Sequence, residues 1–401
     1  MKPTFYIARW FAGLFRVWRR EFHLIFSDIG VMLFFFALPT GYPVIYALIY
    51  NPEVIVDMPV AIVDNSRSEK SRELVRMVDA TEAMKVYDYV PDMEAARRLM
   101  NSHEVYGILE IPADYARKLG RGEQATTVFY AEMDLMLRYR TFVSALTDIQ
   151  LALGSEIQTQ TINDIGLLAQ GMAQVPVESE SIMLGDPTQG FASFIMPGII
   201  VLILQQSIVL GVCILAGTSK QRSRKNGGID PMAVDASPTA QLLGRLLCYM
   251  TLYIPITFYL LHLVPVMFSF PHYGDMWAWI SFIVPFVICS VFFGRVISEF
   301  VSDRESAFLV VVFTSVVFLF LSGLTWPRYA MNKFWTLVGD CVPATWGMEG
   351  FLGINSNGSD FVTQMEPYTS LWILSAVYFL LSYIFIRIRK QPCRMLSYDK
   401  K

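Results

Sequence analysis

The chain has 401 residues, 54% of them hydrophobic, and a mean hydropathy of +0.42, values that exclude a wholly soluble globular chain and describe a membrane protein. Its formal charge of −3 hides an asymmetry: residues 51–193 hold twelve Lys and Arg against twenty-two acids, a balance of −10, which leaves the remainder at +7. All five cysteines (Cys213, Cys248, Cys289, Cys341 and Cys393) lie outside that polar block, so it has no disulfide framework.

Residues 4–21 interleave Phe5, Trp10, Phe11, Leu14, Phe15 and Trp18 with Arg9, Arg16, Arg19 and Arg20. This is the pattern of an amphipathic helix lying in the membrane interface, aromatics toward lipid and arginines toward headgroups. Windows of about 20 apolar residues are long enough to cross a bilayer, and they fall at 29–50, 194–216, 246–268, 277–297, 307–325 and 369–386. The first starts too late and runs too long for a removable signal peptide, so it reads as a signal anchor. Its Pro39-Thr-Gly-Tyr-Pro43 run interrupts the backbone ladder, which predicts that neighbouring helices satisfy the freed carbonyls.

The polar block opens on a strand, Pro59-Val-Ala-Ile-Val-Asp64, that ends in Asp-Asn-Ser turn chemistry. A helix over 68–79 follows, with Leu74, Val75 and Val78 on one face. Next come a strand over 85–90, a helix over 92–101 capped by Asp92, and a strand over 105–111. Pro112 suits the first turn of a helix running to Gly120, and a fourth strand covers 126–130. Such alternation predicts a small α/β domain. From Arg138 onward Phe142, Leu146, Ile149 and Leu153 recur at helical spacing, resumed by Ile165, Leu168 and Met172. One long helix with a break near Gly154 or Gly166 is expected. The block's single histidine, His103, is expected at the surface.

Three short segments are basic: the first 28 residues at +3, the loop 217–245 at +3, and the tail from Arg387 at +5. The positive-inside bias makes all three cytoplasmic. Six spans with both termini inside meet that condition, and residues 51–193 and 326–368 then face outward. On the inner side Arg295 and Glu299 stand four apart on a helix and are positioned to pair as a cytoplasmic gate. The outward stretch 326–368 carries Trp326, Pro327, Phe334, Trp335, Pro343, Trp346 and Glu349 among apolar pieces too short to span. They suit helices that dip partway into the bilayer, with Glu349 at the exit of a pathway.

No phosphate-binding loop is present: Gly211-Val-Cys-Ile-Leu-Ala-Gly217-Thr-Ser-Lys220 has the wrong spacing. No His or Cys pair has metal-ligand spacing, and His262 and His272 read as isolated. Energy for any transport must then come from another subunit or an ion gradient, and the spans' few charges weaken the second option.

Read together, these pieces resemble the type-2 ABC exporter permease family, in its bacterial branch with a large domain after the first span. The resemblance rests on Pro59-Val-Ala-Ile-Val-Asp-Asn-Ser66 with Ser71-Arg-Glu-Leu-Val75. It also rests on Tyr106-Gly-Ile-Leu-Glu-Ile-Pro-Ala-Asp-Tyr115 with Leu119-Gly-Arg-Gly122, on Ser322-Gly-Leu-Thr-Trp-Pro327, and on Val342-Pro-Ala-Thr-Trp-Gly-Met-Glu-Gly-Phe351. It implies an α-helical polytopic membrane protein of six transmembrane helices, with an α/β extracytoplasmic domain inserted between spans one and two. Implied partners are an ABC ATP-binding subunit carrying ATP and Mg2+, a second permease copy or paralogue, and the lipid bilayer. A periplasmic adaptor protein is a further option. No cofactor is bound directly and no nucleic acid is involved. The implied location is the cell inner membrane, and the implied substrate is amphipathic or lipid-like. ATPase coupling maps to 217–245, with Arg222, Arg224, Lys225, Asp230 and Asp235 as its charged residues. The family's Arg-Glu…Gly-Thr pattern is replaced there by Arg222-Ser-Arg-Lys-Asn-Gly-Gly-Ile-Asp230, so the location of the contact carries over and its residue pairing does not. A competing reading is a non-transporting receptor or scaffold that displays residues 51–193. It leaves the five further spans unexplained. A membrane-embedded enzyme is the weakest reading, since no cluster of reactive groups stands out.

Overall fold

The computed structural model describes residues 3–50, 54–165 and 190–390. The chain divides into two units, 1–53 with 183–401 and 54–182.

In the smaller unit the strands are β1 (Met58–Asp64), β2 (Met84–Tyr89), β3 (Gly107–Ile111) and β4 (Val128–Ala131), in the sheet order β2-β1-β3-β4. β1 runs parallel to β2 and β3, and β4 is antiparallel to β3. A parallel neighbour needs a crossover, and Glu69–Asp79 supplies it as a helix between β1 and β2. Alternate residues of β1 enter opposite cores: Val60 and Ile62 meet Leu74, Val75, Val78 and Phe142, while Ala61 and Val63 meet Ala96, Val105 and Ile108. The turn after β1 is fixed by Asp64, whose Oδ1 accepts the amides of Ser66 and Arg67 at 2.9 Å each and whose Oδ2 accepts the Ser71 hydroxyl at 2.7 Å. Ser68 and Ser71 close a capping box on the helix that follows. Asp92 caps the helix Met93–Asn101 through the amide of Ala95 at 2.7 Å.

One expectation is corrected here, and a second in its Gly154 alternative alone. Pro112 stands before the helix Tyr115–Gly120 rather than inside its first turn. Its carbonyl accepts the amide of Tyr115, so it serves the turn that leads in. The long helix Met136–Ile165 runs unbroken through Gly154, because a lone glycine costs a helix only about 1 kcal/mol against alanine. Gly166, Leu168 and Met172 lie outside the described residues, as does Cys393. His103 is 65% exposed beside Glu132.

The larger unit is helical, and among its described residues six helices are long and apolar enough to cross a membrane. In chain order its helices are α1 (Pro3–Phe26), α2 (Ile29–Ile49), α3 (Phe191–Lys225), α4 (Pro238–Met267), α5 (Met276–Phe300), α6 (Arg304–Leu321), α7 (Lys333–Asp340), α8 (Pro343–Asn355) and α9 (Met365–Lys390). α1 is amphipathic in two senses. Its Val17 is buried and its Trp10 Nε1 donates to Thr239 Oγ1 at 3.0 Å, while Ile7, Phe11 and Phe15 stay exposed. α2 contains a π-turn over Leu33–Ala37 just before its prolines. The hydroxyl of Tyr259 on α4 donates to the Thr40 carbonyl at 3.1 Å, a bond between helices beside the two prolines.

α3 is the axis of the unit and is buried along most of its length. Small residues let other helices reach it, as expected where packing rather than hydrophobicity drives association. Gly211 faces the ring of Phe35 on α2, Gly217 faces the backbone of Asp303 at the start of α6, and Gly294 of α5 lies on Val209 of α3. α8 seats on α5 in the same way, Gly347 under Phe286 and Gly350 under Phe282.

Candidate functional site

One end of the helical unit, here the basic end, gathers the charges of five helices into a network. At its centre is Glu21 of α1, which is 3% exposed. Its Oε1 accepts from Arg245 Nε at 2.7 Å and from Arg20 Nη1 at 3.4 Å. A buried carboxylate is tolerated only when paired in this manner. Arg20 also reaches Asp230 Oδ2 at 3.1 Å. Burial pulls the Arg20 guanidinium below its ordinary pKa, against the pull of Glu21. Asp230 is a second hub: it accepts from Ser219 Oγ at 2.6 Å, from Arg222 Nε at 3.3 Å and from the amide of Met232 at 3.1 Å. Burial would raise its pKa, but the Ser219 hydroxyl, the Met232 amide and Arg222 together hold the carboxyl below the usual range.

Lys220 of α3 donates to the carbonyls of Ser298, Glu299 and Val301 at 2.9, 3.0 and 2.7 Å. It thus caps the carbonyl end of α5, where a cation also meets the helix dipole favourably. Arg295 donates to Glu299 Oε1 and to Ser298 Oγ, both at 2.6 Å. Asp28 caps α2 through the amides of Gly30 and Val31 and accepts both ends of Arg304 of α6, at 2.6 and 2.7 Å. Burial opposes ionisation of Asp28, yet Arg304 and the two amides keep its carboxyl below the usual range.

The expected coupling residues divide. Arg222 and Asp230 meet inside the network, whereas Arg224 reaches out to Asp303 at 2.9 Å. The side chains of Lys225 and Asp235 are exposed and form no ion pair with another described residue. Arg295 and Glu299 pair as their spacing predicts. Sequence reasoning missed Glu21, Asp28, Ser219 and Lys220, and Arg20, expected toward headgroups, instead pairs with Glu21 and Asp230. A local signal existed for two of them, since Glu21 and Asp28 are the only acids in a basic 28-residue stretch.

At the opposite end, Arg328 grips both short helices. It bonds to Asp340, ending α7, and to Glu349 of α8 at 2.5 Å, and its guanidinium stacks 4.7 Å from the Trp346 ring. Trp346 Nε1 donates to the Asp340 carbonyl at 2.9 Å. A cavity of about 750 Å³ opens here, lined by Phe194, Pro327, Arg328, Trp346, Glu349 and others. Trp326 is exposed and Pro343 is buried at the start of α8.

His262 and His272 are not isolated. His262 Nδ1 and His272 Nε2 lie 2.9 Å apart, and His272 Nδ1 bonds to the side-chain oxygen of Asn355, which is fully buried at the end of α8. Asn355 in turn donates to the Pro271 carbonyl at 3.0 Å. Ten residues apart in sequence, the two rings meet only because α4 ends and the chain turns back. Burial, helped by His262, depresses the His272 pKa. The unfolded ring therefore binds a proton more readily than the folded one. Stability is full above about pH 6.5, the ordinary histidine value, and falls as pH drops through it. Thermal melting in mild detergent is expected to show that loss, and His272→Gln to flatten it. An unchanged pH profile in the variant would remove His272 as its source.

Residues 29–384 match the family described as ABC-2 family transporter protein. No curated protein matches the chain.

Proposed function

We propose, from the premise that this chain belongs to the ABC-2 transporter family and is the membrane permease of an ABC transporter, that it works as an exporter in the cell inner membrane. Family membership implies an ATP-binding partner subunit. In our reading that subunit carries the ATP and Mg2+ and docks on the basic end, which faces the cytoplasm. Two permeases, identical or paralogous, form the pathway. The cargo is amphipathic or lipid-like and leaves past the cavity beside Trp346 and Glu349. Short helices α7 and α8 there act as re-entrant segments, and the α/β unit faces outward, where an adaptor protein has access to it.

The observation that carries this reading is the network itself. It joins α1 and the 217–245 loop, the docking surfaces in this reading, to the ends of α3, α4 and α5 through Glu21–Arg245, Asp230–Arg20 and Lys220. A push on the loop is then delivered to several helices at once. Around this network Arg224, Lys225, Ile229 and Met232 remain exposed, a mixed apolar and cationic surface of the kind partners dock on. Reversing Arg224 and Lys225 to glutamate is expected to reduce co-purification of the ATP-binding subunit at least tenfold, a loss of about 1.4 kcal/mol or more. The permease's own melting temperature should barely move, since the Arg224–Asp303 pair is exposed. Undiminished co-purification would count against this docking surface.

A further inference from the structure

The basic end also encloses a cavity of about 80 Å³ between α1, α3, α4 and α5, room for several water molecules or one tetrahedral oxyanion. Its wall changes character along two of the helices. On α3, Val212 and Leu215 give way to Ser219 and Lys220, and on α5, Val291 and Phe292 give way to Arg295. Along these two helices the deeper part is apolar and the part nearest the helix ends is charged.

The lining is rich in cations. Its described residues bring Arg20, Lys220, Arg245 and Arg295 together with one acid, Glu21. One donor set is also unspent. Arg245 uses Nε on Glu21, and its two terminal nitrogens donate to no described group. The guanidinium fork beside that bond is the geometry that recognises carboxylate and phosphate. A second, wider cavity of about 400 Å³ shares Arg20, Ser219 and Arg245 with the first and also touches Asp230 and Asp235, so an approach to Arg245 exists.

We infer that the cavity is an oxyanion site, built to take a phosphate group on Arg245 and Arg20 with Lys220 and Arg295 at its edge. Basic pockets between membrane helices are suited to anionic lipid headgroups, and the apolar depth of this one fits a ligand with a fatty side. The same chemistry accepts a free phosphate ion, so the test must separate the two. The inference concerns this end of the helical unit and does not rest on the direction of export.

The full chain is purified in a neutral detergent, stripped of lipid, and melted at constant ionic strength with phosphatidylglycerol, with phosphatidylcholine of the same chain length, or with inorganic phosphate. A rise in melting temperature with phosphatidylglycerol alone assigns a lipid headgroup. A rise with phosphate as well assigns a site open to the free ion. In either case Ala216→Leu, which fills the cavity and leaves every ion pair in place, is expected to abolish the rise while melting like the unmodified chain without ligand. Arg245→Lys keeps a charge on Glu21 but removes the fork, and is expected to weaken the apparent affinity about tenfold. Should Ala216→Leu not fold, Arg245→Lys alone decides. No rise with either anion, or a rise that survives these substitutions, overturns the inference.

Discussion

Gly350→Leu is expected to displace α8 and to lower the melting temperature of the protein more than any surface change. A Cβ at position 350 would lie 2.1 Å from Cζ of Phe282, and one at 347 would lie 2.4 Å from Cε2 of Phe286. Both rings are fully buried, so neither has solvent to swing into. Overpacking of this kind costs about 1–3 kcal/mol where the core can adjust, and more where it cannot. Here α8 is also held by Arg328 and by Asn355, which restricts adjustment. Phe282→Ala alone is expected to cost about 3–5 kcal/mol, as large aromatic truncations do. Joined to Gly350→Leu it exchanges volume across one contact, and the pair should be more stable than the sum of the two losses predicts. Melting of Gly350→Leu at the unmodified temperature would show that α8 does not seat on α5 in this way.

Breaking Glu21–Arg245 from one side is the second large effect. Arg245→Leu leaves a carboxylate that is 3% exposed with only Arg20, at 3.4 Å. Removing one partner of a buried pair costs about 3–5 kcal/mol, mainly through the charge left behind. Replacing both by leucine removes that charge, so the double variant should be more stable than Arg245→Leu alone. Detergent melting of Arg245→Leu, Glu21→Leu and the double variant is sufficient. Strict additivity would mean that the two side chains do not act as a pair.

Much of the helical unit was legible because hydropathy is a local signal. Each of the six apolar windows overlaps one of the long apolar helices, although 307–325 overruns Arg304–Leu321 by four residues. The ends were less legible, for a physical reason. The window at 194–216 stops where the apolar residues stop, but its helix continues to Lys225. A helix ends where its backbone is interrupted, and here the interruption is Gly227-Gly228, both at positive φ. In the α/β unit Asp64 was readable as a turn residue, whereas its bond to Ser71 Oγ needs the fold. The candidate site divides in the same way. Arg295–Glu299 follows from a four-residue spacing. Glu21–Arg245 and Asp28–Arg304 join residues more than 200 positions apart, and nothing local announces them. His262 and His272 lie closer, yet they meet only through a turn that spacing rules do not describe.

The length of α3 has a mechanical consequence. Its 35 residues make a rod of about 52 Å at 1.5 Å per residue, against a hydrocarbon thickness of about 30 Å. Some 20 Å of it must therefore project beyond the lipid tails. The projecting tip carries Lys220, clamped to the last carbonyls of α5, so two helices swing as one arm. With the glycine contacts near its middle as pivot, a small tilt within the bilayer becomes a larger sweep at the tip. Conversely, whatever grips that tip works against the bundle with leverage.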